Sequence, residues 1–266
     1  MQNLALLTEY DGGCFHGWQQ QAKDRSVQET LQHAWYKLTG EDVKLTGSSR
    51  TDAGVHALGH VANFFSSARI PLDKVPLAIN TQLPAGVAVR MCVGVENAFN
   101  ARFHACGKRY SYHIANSRIR PALKRSYQAH VPSKLDLEAM KQASQALLGE
   151  HDFTALMDQG SVIRDPKRTL FACYVRQRKQ EEIVITVIGD GFLYHMVRII
   201  AGTLVAVGEG KIKANEIEQL IANQDRTLLG KTMPAQGLFL EKVYYNTGLF
   251  GADSKVEMMN EARALS

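Results

Sequence analysis

Short apolar runs closed by glycine or proline alternate along this chain with stretches of helical period. LALLTEY near the start reads as a strand. Ser26 and Glu29 form a capping box ahead of Val27, Leu31, Trp35 and Leu38, whose spacing marks one face of a helix, and Gly40 closes it. VKLTG and HVANFF read as strands, Leu72 to Leu83 as a short helix and VAVRMCVGV as a strand, giving the order βαββαβ. The second half repeats that order with different residues. It has a strand at 108–115, a helix from Asp136 to Leu148 ended by Gly149, and strands near 169–178 and 183–188. Helices follow near 192–207 and 214–222, then a strand at 238–245. Each half has the split βαβ pattern of a ferredoxin-like unit. We therefore predict an α+β chain of two ferredoxin-like βαββαβ halves whose mostly antiparallel sheets join edge to edge, with helices on one face. The divisions expected are 1–103, 104–247 and a polar tail, 248–266, that is loose or helical and has no catalytic part.

Composition narrows the class of protein. At 266 residues with 45 % hydrophobic residues, the chain can bury a substantial core. No apolar run approaches the roughly 20 residues needed to span a bilayer. The start, MQNLALLTEYDG, lacks a basic segment followed by a sustained apolar stretch, so we expect no secretory signal and a cytoplasmic protein. Cys14, Cys92, Cys106 and Cys173 form no C-x-x-C pair, which argues against a zinc site and a disulfide framework.

The net charge of +5 is modest, but it is unevenly spread. Residues 1–103 hold nine basic and nine acidic side chains, and residues 104–266 hold 22 and 17, so the excess lies in the second half. Between Asn97 and Lys134 the chain carries Arg102, Lys108, Arg109, Arg118, Arg120, Lys124, Arg125 and Lys134 with no aspartate or glutamate. A field of that kind attracts a polyanion, although a solvated basic face would read the same way. A second group, Arg164, Lys167 and Arg168, is only partly offset by Asp165.

The segment Gly47 to His60, GSSRTDAGVHALGH, holds the sharpest candidate for chemistry. Asp52 sits between Arg50 and Gly54, where a neighbouring cation suits a charged nucleophile better than a general acid and glycine admits a planar group close to the backbone. An Asp-Ala-Gly tripeptide by itself would equally be a turn. RTDAGVHA, however, resembles the catalytic motif of the tRNA pseudouridine synthases of the TruA type, and five further segments match that family in the same order. These are YDGGCFHGWQQQ, AINTQLPAGVAV, FNARFHACGKRYSY, FLYHMVRIIAG and AQGLFL, so the resemblance runs from about residue 4 to residue 245. Ser49 departs from it, standing where many relatives carry glycine, which affects the local loop shape and leaves Asp52 in place.

The resemblance implies a two-domain α/β enzyme with its active site in the cleft between the halves. The reaction converts uridine to pseudouridine at positions 38, 39 and 40 of the tRNA anticodon arm, carried out by a homodimer. It implies Asp52 as the nucleophile, Tyr110 stacked on the target base, Arg198 paired with Asp52, and Leu238 packed against the base. Arg50 would fill the space left by a flipped base or hold a phosphate. For Arg198 the other reading is a side chain that snorkels from a helix edge, and for Tyr110 and Leu238 it is core packing. Isomerisation gains no electron or group, so no cofactor and no metal are expected. His56 and His60 are four apart, but β-branched and aromatic neighbours favour a strand, where such positions lie about 13 Å apart and cannot share one metal.

Two other classes compete. A non-catalytic RNA-binding protein could use duplicated ferredoxin-like sheets, yet the aromatic signature of an RNA-recognition domain is absent from the sequence. A hydrolase or glycosyl-transfer enzyme acting on small nucleosides would need a second carboxylate beside Asp52, for which Asp11 is the motif-borne candidate.

Overall fold

The structure is a computed structural model, and its described residues are 1–21, 25–158 and 165–265. Arg164, one of the second basic group, lies outside them. Along the chain the elements are β1 (Gln2–Tyr10), α1 (Val27–Thr39), β2 (Thr46–Gly47), β3 (His56–Ser66), α2 (Val75–Asn80) and β4 (Val87–Val95). Then come β5 (Ala105–Ala115), β6 (Ala129–His130), α3 (Leu137–Gln145), β7 (Gly149–Asp152), β8 (Lys167–Lys179) and β9 (Glu182–Gly189). The last are α4 (Met196–Gly208), α5 (Ile217–Ala222), β10 (Leu238–Tyr245) and α6 (Lys255–Leu265). This is a mixed α+β chain whose strand pairs are mostly antiparallel, as the pattern of the sequence predicts.

The chain forms two compact units, one of residues 1–106 and 239–257 and the other of residues 107–238 and 258–266. In the first unit β1 runs antiparallel to both β3 and β4, and β10 joins β3 in parallel at His56 and Ala57. Sequence order places 238–245 with the second half. From Phe239 onward it groups with the first unit, where its backbone pairs with β3. Helix α1 starts where Ser26 accepts a hydrogen bond from the Glu29 amide and stops at Gly40, which adopts φ 76°. Its buried face, Val27, Leu31, Ala34 and Trp35, packs on the sheet, with Trp35 edge-on to Phe64 of β3 at 4.9 Å. Trp35 also donates to Glu41, which accepts from the Ser66 and Ser67 hydroxyls. These bonds, led by Ser66 and then Ser67, outweigh burial and lower the Glu41 carboxyl to about 2.

In the second unit the sheet order is β5-β9-β8-β7, all antiparallel neighbours, with β6 added in parallel at the far end of β5. Helix α3 packs against α4 and β8. Helix α4 is apolar nearly all round, and Met196, Val197, Ile199, Ile200 and Leu204 are among its buried residues. Helix α6 turns the expected loose or helical tail into a defined helix. Ser254 and Glu257 cap it reciprocally, the Ser254 amide donating to the Glu257 carboxylate and the Glu257 amide to the Ser254 hydroxyl.

Candidate active site

Asp52 lies on the loop between β2 and β3, and its neighbours on that loop are tied down one by one. Ser48 and Val61 exchange bonds, the Ser48 amide to the Val61 carbonyl at 2.8 Å and the Val61 amide to the Ser48 hydroxyl at 3.3 Å. The Ser49 carbonyl is 3.0 Å from His60 Nε2. The Thr51 hydroxyl pairs with the Tyr10 hydroxyl at 2.8 Å, buried, and the Thr51 carbonyl accepts from the Trp18 amide at 3.1 Å. The turn after the aspartate closes through the main chain, the Val55 amide donating to the Asp52 carbonyl at 3.1 Å.

The segment Tyr10–Trp18 is the other wall of this cradle. Gly17 has φ 88°, and a Cβ there would sit 2.6 Å from the Thr51 carbonyl oxygen. A Cβ on Gly12 would lie inside the radius of the Val55 carbonyl oxygen. Trp18 stacks on His60 at 3.7 Å between ring centroids and 24° between planes. The Gly12 amide donates to His56 Nδ1 at 3.0 Å, and Asp11 Oδ1 is 3.2 Å from the same nitrogen. One lone pair cannot accept the amide proton and also hold a proton for the carboxylate. We therefore assign the Nε2–H tautomer, with Asp11 a close neighbour whose Oδ1 accepts the Gly13 amide at 2.9 Å. His56 stacks on Phe239 of β10 at 4.6 Å. Both histidines are thus buried supports on β3, and no group of three His, Cys, Asp or Glu able to hold a metal occurs among the described residues. Asp52 itself is half-buried and Arg50 is exposed.

Tyr110, Arg198 and Leu238 belong to the second unit. Tyr110 is buried on β5, opposite Val187 of β9, with its ring edge-on to Phe192 at 5.0 Å. Two positions along, Tyr112 shares its face of the strand and donates to the Pro234 carbonyl at 2.7 Å. Burial raises the Tyr112 phenol well above its usual range despite the nearby Arg198 charge. Arg198 is half-buried on α4, and its Nε donates to the Met233 carbonyl at 2.7 Å while the Met233 amide donates back to the Arg198 carbonyl at 3.2 Å. An anchored guanidinium of this kind is not a freely snorkelling one. Leu238, 6 % exposed, follows Gly237, whose Cα is pressed against the Tyr112 ring. The segment 233–238 therefore links Arg198, Tyr112 and Leu238.

A cluster that sequence reasoning did not single out fixes the start of α4. His195 precedes the helix with φ 61°, and its Nδ1 lies 2.8 Å from Asp158 Oδ2. Arg226 Nε donates to Asp158 Oδ1 at 2.9 Å, the Thr232 hydroxyl donates to Oδ2 at 2.7 Å, and Arg226 also holds the Gly230 carbonyl at 2.8 Å. Partial burial pushes the Asp158 carboxyl up, but the bonds from Thr232, His195 and Arg226 outweigh it and hold it at about 2. The signal in the sequence is thin: single polar residues far apart in the chain.

Among the described residues no helix is long and apolar enough to cross a membrane. A family model described as tRNA pseudouridine synthase matches residues 6–104 and 143–246. The chain is 46 % identical over 245 residues to proteins named tRNA pseudouridine synthase A from Acetivibrio thermocellus and Ruminiclostridium cellulolyticum. It is 44 % identical over the same length to one of that name from a Thermoanaerobacter species. In each case the match covers 92 % of this chain and 100 % of the relative.

Proposed function

The chain belongs to the tRNA pseudouridine synthase family, and from that premise we propose that it isomerises uridine to pseudouridine at positions 38, 39 and 40 in the tRNA anticodon arm. Asp52 is the nucleophile. The observation that carries this reading is the cradle: the residues flanking Asp52 are fixed by Tyr10, Trp18 and His60, while the aspartate itself is half-buried between them. A carboxylate held that way is pre-organised for attack on a bound substrate.

The reaction balances without a co-reactant. The bond from uracil N1 to C1′ breaks, the uracil turns while held, a bond forms from C5 to C1′, and the C5 proton leaves as N1 gains one. Attack by Asp52 on C1′ or on C6 would each give a covalent intermediate that splits the reaction into easier steps. Tyr110 stacks on the base, Leu238 packs against it, Arg198 supplies the fixed cation and Arg50 meets the RNA. A base in a stem must first leave its stack, at a cost of a few kcal/mol. The acid-free basic run from Asn97 to Lys134 supports the binding of tRNA along its phosphates. The enzyme acts in the cytoplasm as a homodimer, which suits a substrate far longer than one domain.

The test is release of tritium from tRNA labelled at uridine C5, wild type against Asp52→Asn. Release by wild type and a loss of more than a thousandfold in the variant, with tRNA binding retained, is the expected result. No release by wild type from unmodified tRNA would overturn the enzyme reading. Retained, salt-sensitive binding would then favour a binding protein without chemistry.

A further inference from the structure

We infer that helix α6 positions Tyr110, with Met258 and Glu261 acting through the strand that carries it; this deepens the proposed function and rests on the role given there to Tyr110. The match to the family model ends at residue 246, so α6 lies outside it. Met258, Glu261 and Ala262 are three and four positions apart and share one face of the helix. Met258 is fully buried and Ala262 is 3 % exposed.

That face meets β5 just before the tyrosine. Met258 Sδ lies where a Cβ on Gly107 would be, so the thioether sits directly on the strand backbone. Glu261 Oε2 accepts from Arg109 Nη1 at 2.8 Å, and both side chains are about three-quarters buried. The pairing of β5 with β9 runs without a shift from Lys108 to Ala115, so side chains alternate regularly there. Gly107 and Arg109 therefore point to one face and Tyr110 to the other. Helix α6 backs the strand from behind, and the tyrosine ring is fixed in front by Phe192. A strand pinned one and three residues before a base-stacking ring limits how far that ring can shift. Small misplacements cost rate far more than they cost binding.

The experiment uses the full chain and C5-tritiated tRNA, reading kcat, KM and the urea unfolding midpoint for Met258→Ala, Met258→Leu and Glu261→Gln. We expect Met258→Ala to lower kcat about fivefold to tenfold with KM within twofold, and Met258→Leu, which keeps the volume, to recover most of the loss. Glu261→Gln, which keeps the shape and removes the charge, lowers kcat a few-fold. In a Tyr110→Leu background, which removes the stacking ring, the Met258→Ala loss in kcat shrinks, because both changes act on one group. A lower unfolding midpoint with unchanged kcat would overturn the inference, as would losses that simply multiply in the double variant. A raised KM at constant kcat would overturn it too, making α6 an RNA contact. Failure of the underlying reading looks different: wild type releases no tritium, or Tyr110→Leu alone leaves kcat unchanged.

Discussion

The loop that bears Asp52 and the region that bears Arg198 are held in place by different means. Around Asp52 most ties are main-chain bonds and close backbone approaches, made possible by Gly12 and Gly17 on a segment that is itself one contiguous motif. Around Arg198 the ties are side chains drawn from remote parts of the chain: Asp158, His195, Arg226 and Thr232 at the head of α4, and the Met233 carbonyl at the guanidinium. A backbone-built cradle tolerates almost no added volume. A side-chain network should instead soften with pH and with single charge changes, which gives two distinct ways to probe the molecule.

The largest effect is expected at Gly12. A Cβ there meets the carbonyl of Val55, a backbone atom that cannot rotate away, so one of two main-chain segments must move. Gly12→Ala should cost about 3 kcal/mol in urea unfolding and displace the Asp52 loop enough to reduce turnover severely. A cost under about 1 kcal/mol would show that the loop yields, and the picture of a rigid cradle would fail.

Asp158 comes next and tests the opposite design. Asp158→Asn removes a charge that accepts from three side chains and is 29 % exposed, so solvent screening trims its worth to about 1–2 kcal/mol. The sign with pH follows from the lowered carboxyl, ordinarily 3.8 and here about 2. Because the folded protein holds the charged form more tightly than the unfolded chain does, the contribution is complete above about 4 and fades as pH falls towards 2. The stability gap between wild type and Asp158→Asn should narrow as pH falls from about 4 towards 2. A gap that widens over that range would reverse the assignment of what stabilises the head of α4.

The same contrast explains what could be read from the sequence. Helix α1 announces itself through Ser26, Glu29 and Gly40, all local signals that the structure uses as expected. The α2 segment reads as Leu72–Leu83 but is helical only over Val75–Asn80, since Pro71, Pro76 and Pro84 limit the backbone donors and the permitted angles. Helix α4 begins at Met196 and not near 192, because His195 adopts a left-handed conformation fixed by Asp158, 37 positions away. The partner of β10 was hidden for a similar reason: parallel pairing with β3 leaves no periodic trace in either strand. Asp52 was visible as a motif. The support given by Tyr10, Trp18 and His60 was not, because it consists of contacts between motifs that are each legible alone. The tail held one missed local clue, Ser254 with Glu257, the same capping signature that marks α1.

The smallest effect expected is at Tyr10, and it separates support from bulk. Tyr10→Phe keeps the ring against Trp18 and His60, at 6.4 and 5.9 Å, and removes only the hydroxyl that meets Thr51. The Thr51 hydroxyl is then left buried beside an apolar edge, at a cost of about 1 kcal/mol. Since Thr51 immediately precedes Asp52, the loss should appear in kcat as a few-fold fall while KM for tRNA stays within twofold. Tyr10→Phe combined with Thr51→Val removes both partners of the bond, and the pair should cost less in stability than the sum of the two single changes. Equal and additive losses would mean that the hydroxyl pair is incidental and that the aromatic packing of Trp18 on His60, together with the glycine contacts, holds the aspartate loop without it.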